Sequence, residues 1–228
     1  MGRVLFGKAL KVLSFVLIIM LIFPSVTYAQ HYYGKGEIYW NSTKHWSGGA
    51  AIFPNPNPDY YVQPSIGYAA NHTLWVFTNN SDQSWNEVGY SKGLNLNGHW
   101  DTTLRTLYYA FRLPNGQYYE YQSSNPVGNP GTTHSYKISF GAGIWFIYID
   151  NILQGFSAQP LYAKYIQVGL ESLYYANSCR TVYSSGLQVN EDGVWKGWSG
   201  NLSRIYQSSG YHFSWVTPLS SSNDWNDY

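Results

Sequence analysis

The chain has 228 residues, enough for one domain with a sizeable core, and its 19% aromatic and 11% charged residues exclude a disordered polymer. Thirteen Lys and Arg against twelve Asp and Glu leave a formal charge of +1 with no polybasic run. Neither nucleic acid nor an acidic membrane surface is therefore an expected partner.

Residues 1–29 read as a secretory signal peptide. Arg3, Lys8 and Lys11 form a basic start, residues 12–23 are apolar, and Ala29 stands before a cut at Gln30. The apolar run is too short for an easy membrane span, so no stable anchor is expected after cleavage and the mature chain is expected outside the cell. Export usually goes with disulfides, yet Cys179 is the single cysteine and can form no intrachain bridge. No histidine stands at a telling spacing from it, so Cys179 reads as a small buried hydrophobe.

Beyond residue 30 the hydrophobic period is two. Strand-like runs cover 72–78, 85–91, 104–112, 117–122, 134–140, 144–150, 164–171, 182–189 and 211–216. In the seventh of these, Ile166, Val168 and Leu170 point one way and Tyr165, Gln167, Gly169 and Glu171 the other. The same alternation predicts Val88, Leu107, Phe111, Ile147 and Ile149 inside. Asn97-Gly98, Pro114-Asn115-Gly116, Asp150-Asn151 and Asp192-Gly193 are turn signals, and 54–58 and 125–133 read as longer loops. No amphipathic helix interrupts the pattern. The expected fold is all-β: one antiparallel β-sandwich of the jelly-roll or concanavalin-like kind over residues 30–219. A Ser-, Asn- and Asp-rich tail, 220–228, is expected to fray.

Familiar chemistries are missing: no P-loop, no Gly-x-Ser-x-Gly, no His-Glu-x-x-His, no Cys-x-x-Cys. The six histidines are scattered without ligand spacing, so neither a metal nor a cofactor is expected. Two carboxylates remain. Glu87 shares a strand face with Trp85 and Gly89, and Glu171 shares one with Tyr165, Gln167 and Gly169. Each glutamate is thus near a glycine that leaves room above the sheet. On adjacent strands their carboxyls would approach within about 5 Å. One would keep its proton while the other activates water, a pair suited to hydrolysing a peptide or a glycosidic bond, with activity highest in acid. Trp85, Tyr90, Tyr165 and Gln167 are the expected substrate contacts, with the Gln167 amide helping to hold the oxyanion. The competing reading is a non-catalytic module or surface structural protein that stacks Trp195, Trp198 and Tyr90 on extracellular polysaccharide.

The order of landmarks resembles the neprosin-like glutamic peptidases, and more distantly the fungal glutamic peptidases, over roughly residues 31–175. Leu74-Trp75-Val76 precedes Glu87-Val88-Gly89-Tyr90; Gly143-Ile144-Trp145-Phe146 leads to Gly155-Phe156 and Pro160-Leu161. Gly169-Leu170-Glu171 is similar to that family's Gly-Gly-Glu, with Leu in place of the second Gly. The resemblance implies an antiparallel β-sandwich whose paired glutamates, here Glu87 and Glu171, activate water against a peptide bond.

Overall fold

Strands with one apolar face cannot bury it alone, and two such sheets stacked face to face are the direct solution. The structure, a computed structural model, describes residues 31–39, 45–64, 69–78, 83–93 and 101–228. The expected signal peptide and the Asn97-Gly98 turn lie outside the described residues.

The first sheet holds β1 (Tyr32–Tyr39), β3 (Ala70–Phe77), β4 (Trp85–Lys92), β5 (Arg105–Arg112), β6 (Tyr118–Gln122), β10 (Tyr165–Ser172) and β13 (Leu202–Gln207). Their order is β13-β1-β10-β3-β4-β5-β6. The second holds β2 (Trp46–Pro54), β7 (Thr133–Gly141), β8 (Ile144–Ile149), β9 (Ile152–Ser157), β11 (Val182–Glu191), β14 (Tyr211–Thr217) and β15 (Ser221–Asn226). Its order is β14-β15-β11-β2-β7-β8-β9, with β12 (Val194–Gly197) paired to β11. Every pairing is antiparallel. No helix occurs among the described residues. The chain is an all-β antiparallel sandwich.

Alternation sends Ile38, Leu74, Val88, Leu107, Ile166, Val168 and Leu170 inward from the first sheet to meet Phe53, Tyr136, Ile138, Trp145, Ile147, Ile149 and Val189 from the second. The residues expected inside are there, with Phe111 partly buried against the rim of this core. Asp150 and Asn151 both take positive φ (52° and 62°), the geometry that closes a tight β8–β9 hairpin, and Asp192 and Gly193 (51° and 87°) do the same between β11 and β12.

Six strands, β1, β2, β9, β12, β13 and β15, lie outside the expected runs, and two of them show why. Tyr-Tyr-Gly-Lys-Gly-Glu-Ile-Tyr gives little sign of a central strand, yet it forms β1, between β10 and β13. Its glycines answer a tertiary demand: a Cβ on Gly34 would collide with the His212 backbone, and one on Gly36 with the Phe213 and Trp215 rings. The segment expected to fray is also a correction, because residues 221–226 form β15 between β14 and β11.

What holds β15 is a polar chain in the core. His72 Nδ1 lies 2.8 Å from Asp224 Oδ2, and His72 Nε2 lies 2.9 Å from Ser184 Oγ. This is the bonding pattern of a serine-hydrolase triad, but all three side chains are fully buried on the core side. They pin β3, β11 and β15 together and meet no substrate. Burial pushes the Asp224 carboxyl up, with His72 pulling the other way. Burial likewise raises the Cys179 thiol, with Asp224 adding to it, which leaves this cysteine the inert hydrophobe the sequence suggests.

Candidate functional site

Antiparallel partners share a side of the sheet, so register fixes what stands on the outer face of the first sheet. Glu87 is opposite Trp75, which is opposite Gln167, which is opposite Glu37. The next row is Gly89, Thr73, Gly169 and Lys35, and the row beyond it is Ser91, Asn71, Glu171 and Tyr33. Trp85, Phe77 and Tyr165 form the row on the other side. Glu87, Glu171, Trp85, Tyr165 and Gln167 therefore occupy one face.

Four expectations need correction. The glutamates are not on neighbouring strands, since β3 runs between β4 and β10. They sit diagonally across it, with Thr73 midway in the register. Tyr90 belongs to the opposite face with Val88: it is fully buried in the sandwich core, where its hydroxyl donates to Asp59, so it is no substrate contact. Gln167 is on the right face, but its amide nitrogen donates to Glu37 Oε2 at 2.5 Å, and Arg204 holds the other oxygen of Glu37. That amide is committed to an internal network rather than to an oxyanion. Trp198 is also fully buried, which removes it from any sugar-stacking pair with Trp195.

Glycine makes room in the middle row. Gly169 has φ of +149°, where a side chain is strained, and a Cβ there would lie 2.6 Å from the Lys35 Cα. Opposite Gly89 stands Tyr108, and both the Tyr108 ring and Ala110 pack on this face. Trp75, Phe77 and Tyr165 form an apolar cluster beside the acids, with Tyr39 and Trp85 against it.

The two carboxylates differ sharply in surroundings. Glu87 is 4% exposed and accepts from Trp85 Nε1 (2.9 Å) and the Tyr108 hydroxyl (2.6 Å). Burial first, and then the negative charge of Glu171, push its carboxyl from 4.5 up to about 8, against those two donors. Glu171 is 8% exposed and 2.7 Å from His31 Nδ1, with Asn71 Nδ2 at 3.4 Å from its other oxygen. Burial pushes this carboxyl up as well, but the bond and charge of His31, the charge of Lys35 and the bond from Tyr33 outweigh it and hold it below the ordinary range. The same bond raises His31, against its own partial burial. The pair is thus one protonated acid and one carboxylate over a wide pH range. Nearby, Glu120 accepts from Tyr118 at 2.6 Å, and burial raises it too.

Several buried polar atoms on this face have no partner among the described residues: Asn71 Oδ1 and Ser91 Oγ beside Glu171, and Tyr165 Oη and Gln167 Oε1 beside the aromatic cluster. Such atoms call for water or a ligand. No cluster of His, Cys, Asp and Glu able to hold a metal occurs among the described residues. His31, Tyr33, Asn71, Thr73 and Tyr108 are parts of the site that the sequence reading missed. The signal available for the last three was the period of two itself, which puts Asn71 and Thr73 on the face of Trp75, and Tyr108 opposite to Leu107.

No family model matches the chain, and no curated protein is similar to it in sequence. Solved structures share its fold. A scytalido-glutamic peptidase with a transition-state-analogue inhibitor superposes with a TM-score of 0.62, at 9% identity, over 86% of this chain and 98% of that one. SCP-B, a member of the eqolisin family of peptidases in complex with the tripeptide Ala-Ile-His, gives 0.59, at 8% identity, over 86% and 98%. At such identity the likeness is one of fold. The chain has a glutamic-peptidase-like fold, and nothing in the likeness singles out the neprosins.

Proposed function

We propose that this is a secreted glutamic endopeptidase in which Glu171 is the general base and Glu87 the general acid. The observation that carries the reading is the opposite environment of two buried glutamates on one face of a glutamic-peptidase-like sheet: one held neutral, the other held ionised. Secretion rests on the basic start, apolar run and small residue at Ala29.

In this mechanism Glu171 takes a proton from water as the oxygen attacks the scissile carbonyl, and Glu87 gives its proton to the carbonyl oxygen. The resulting gem-diol collapses when Glu171 passes its proton to the leaving nitrogen and Glu87 takes one back from a hydroxyl. The C–N bond breaks, and both groups return to their starting states. His31, Tyr33 and Asn71 hold Glu171 as the carboxylate; Trp85 and Tyr108 fix Glu87. The aromatic cluster beside the acids supplies apolar contact for substrate side chains.

The working form needs Glu87 protonated and Glu171 ionised. Activity should fall on the alkaline side near pH 8, where Glu87 loses its proton, and on the acid side below the usual carboxylate range, where Glu171 gains one. The window reaches through neutral pH, wider than the acid-limited activity expected from the sequence. The test is cleavage of a denatured protein across pH by the wild type, Glu87→Gln and Glu171→Gln. Each substitution should lower kcat by about 100-fold or more. A wild type that cleaves nothing, or Gln variants that cleave as well as it does, would overturn the reading and leave polysaccharide binding, to be scored by pull-down on insoluble glycans.

A further inference from the structure

The proton on Glu87 has two oxygens to choose between, and its neighbours are unequal. An indole N–H can only donate, so Trp85 at 2.9 Å occupies a lone pair of Oε2 and can take no proton from it. The Tyr108 hydroxyl, 2.6 Å from Oε1, can donate or accept, and it lies 2.7 Å from Thr73 Oγ1 as well. Thr73, Tyr108 and Glu87 thus form a hydrogen-bonded chain that can run in either sense.

Run from Glu87 outward, the carboxyl would donate from Oε1 to Tyr108, and Tyr108 to Thr73. The catalytic proton would then point into the sheet. The hydrogen on Thr73 would also be left over: Thr73 is fully buried, and its hydroxyl has no other partner among the described residues. Run from Thr73 inward, the one hydrogen left over is the carboxyl's own, on Glu87, which at 4% exposure is the only member of the chain that is not fully buried. Thr73 donates to Tyr108, Tyr108 donates to Oε1, and the carboxyl proton is left to Oε2. A buried hydroxyl with nowhere to donate is costly, so satisfaction of Thr73 selects the second sense. Burial also raises the Tyr108 phenol well above its ordinary value, which keeps it a donor.

We propose that Thr73 and Tyr108 are positioning residues for the reaction: donating in series to Oε1, they hold the Glu87 proton on Oε2, where it is available for transfer. Both side chains are fully buried, so neither touches substrate. The proposal rests on the acid role given to Glu87 above.

The test uses Tyr108→Phe, Thr73→Val and Thr73→Ser, all close in size to the native residue, in the full chain. The Glu87 carboxylic-acid C=O stretch is assigned in the infrared by its disappearance in Glu87→Gln. Tyr108→Phe removes a donor that favours the ionised form, so the band should shift and its titration midpoint should rise. Thr73→Val should shift the band, and Thr73→Ser should restore it. In turnover, Thr73→Val and Tyr108→Phe should lose about 10- to 100-fold in kcat with KM little changed, and Thr73→Ser should recover most of it. An unchanged band and midpoint in folded Tyr108→Phe and Thr73→Val, or a Thr73→Ser no better than Thr73→Val, overturns the proposal. Infrared shifts as described in a wild type that cleaves nothing would uphold the proton placement while overturning the peptidase reading.

Discussion

At the scale of single residues, the site turns on how differently two identical side chains are treated. Glu87 is governed by burial first and then by the repulsion of Glu171, against hydroxyl and indole donors, whereas Glu171 is held by the bond and charge of His31 and the charge of Lys35. This has a cost that can be measured without a substrate. The folded chain keeps a proton on Glu87 up to about pH 8, and the unfolded chain releases it near 4.5. The stability tied to that proton is fully present below 4.5 and is lost as pH rises through about 8. Glu87→Gln has no proton to lose, so its melting temperature should exceed that of the wild type at pH 9, and the gain should vanish by pH 4. An equal gain at both pH values would show that Glu87 is not held neutral. Glu171 runs the other way: its folded value is depressed, so its contribution is present above the ordinary carboxylate range and lost as acid protonates it.

At the scale of elements, the strand most legible in the sequence is β10, whose alternation is carried by Val, Ile and Leu. There, Ile166, Val168 and Leu170 declare the inner face and leave Glu171 on the outer one. Two of the strands that escaped, β1 and β15, are built from residues with no voice in a period-two pattern. In β1 glycines make way for β14, and in β15 serines, asparagines and an aspartate are buried by hydrogen bonding rather than by apolarity. The site followed the same division. That Glu87 and Glu171 share a face was readable, because each strand states its own phase. That β3 stands between them was not, because strand order comes from long-range pairing that no local pattern encodes. Tyr90 shows a phase misjudged, since two residues from an inward Val88 it too must point inward. The hydrogen-bonded strand gives its own prediction. Asp224→Ala leaves His72 Nδ1 without its buried partner, and it should cost about 3 kcal/mol in urea unfolding with the β-type circular dichroism retained at low denaturant. A loss under about 0.5 kcal/mol would show that β15 is held by packing alone.

At the scale of the whole molecule, this sandwich is held without covalent staples, since its single cysteine can form no bridge within the chain. Reducing agent should leave the melting temperature unchanged, and a thiol reagent should label Cys179 only as fast as the molecule unfolds, because the thiol is buried and raised. Rapid labelling under native conditions would contradict the packing around it. One feature of the core then bears on how the protein comes into being. His72 on β3 finds Asp224 152 residues further along the chain, and His31, just before β1, finds Glu171 140 residues away. Contacts of such long sequence separation form late and slowly. A ribosome that has made β1, β3 and β4 has made half a dyad, on strands whose core side still lacks its last support. Only when residues 221–226 emerge can β3 be locked from beneath. The order of synthesis alone thus keeps Glu87 and Glu171 apart until β10 has emerged, and leaves the core side of β3 without Asp224 until β15 follows.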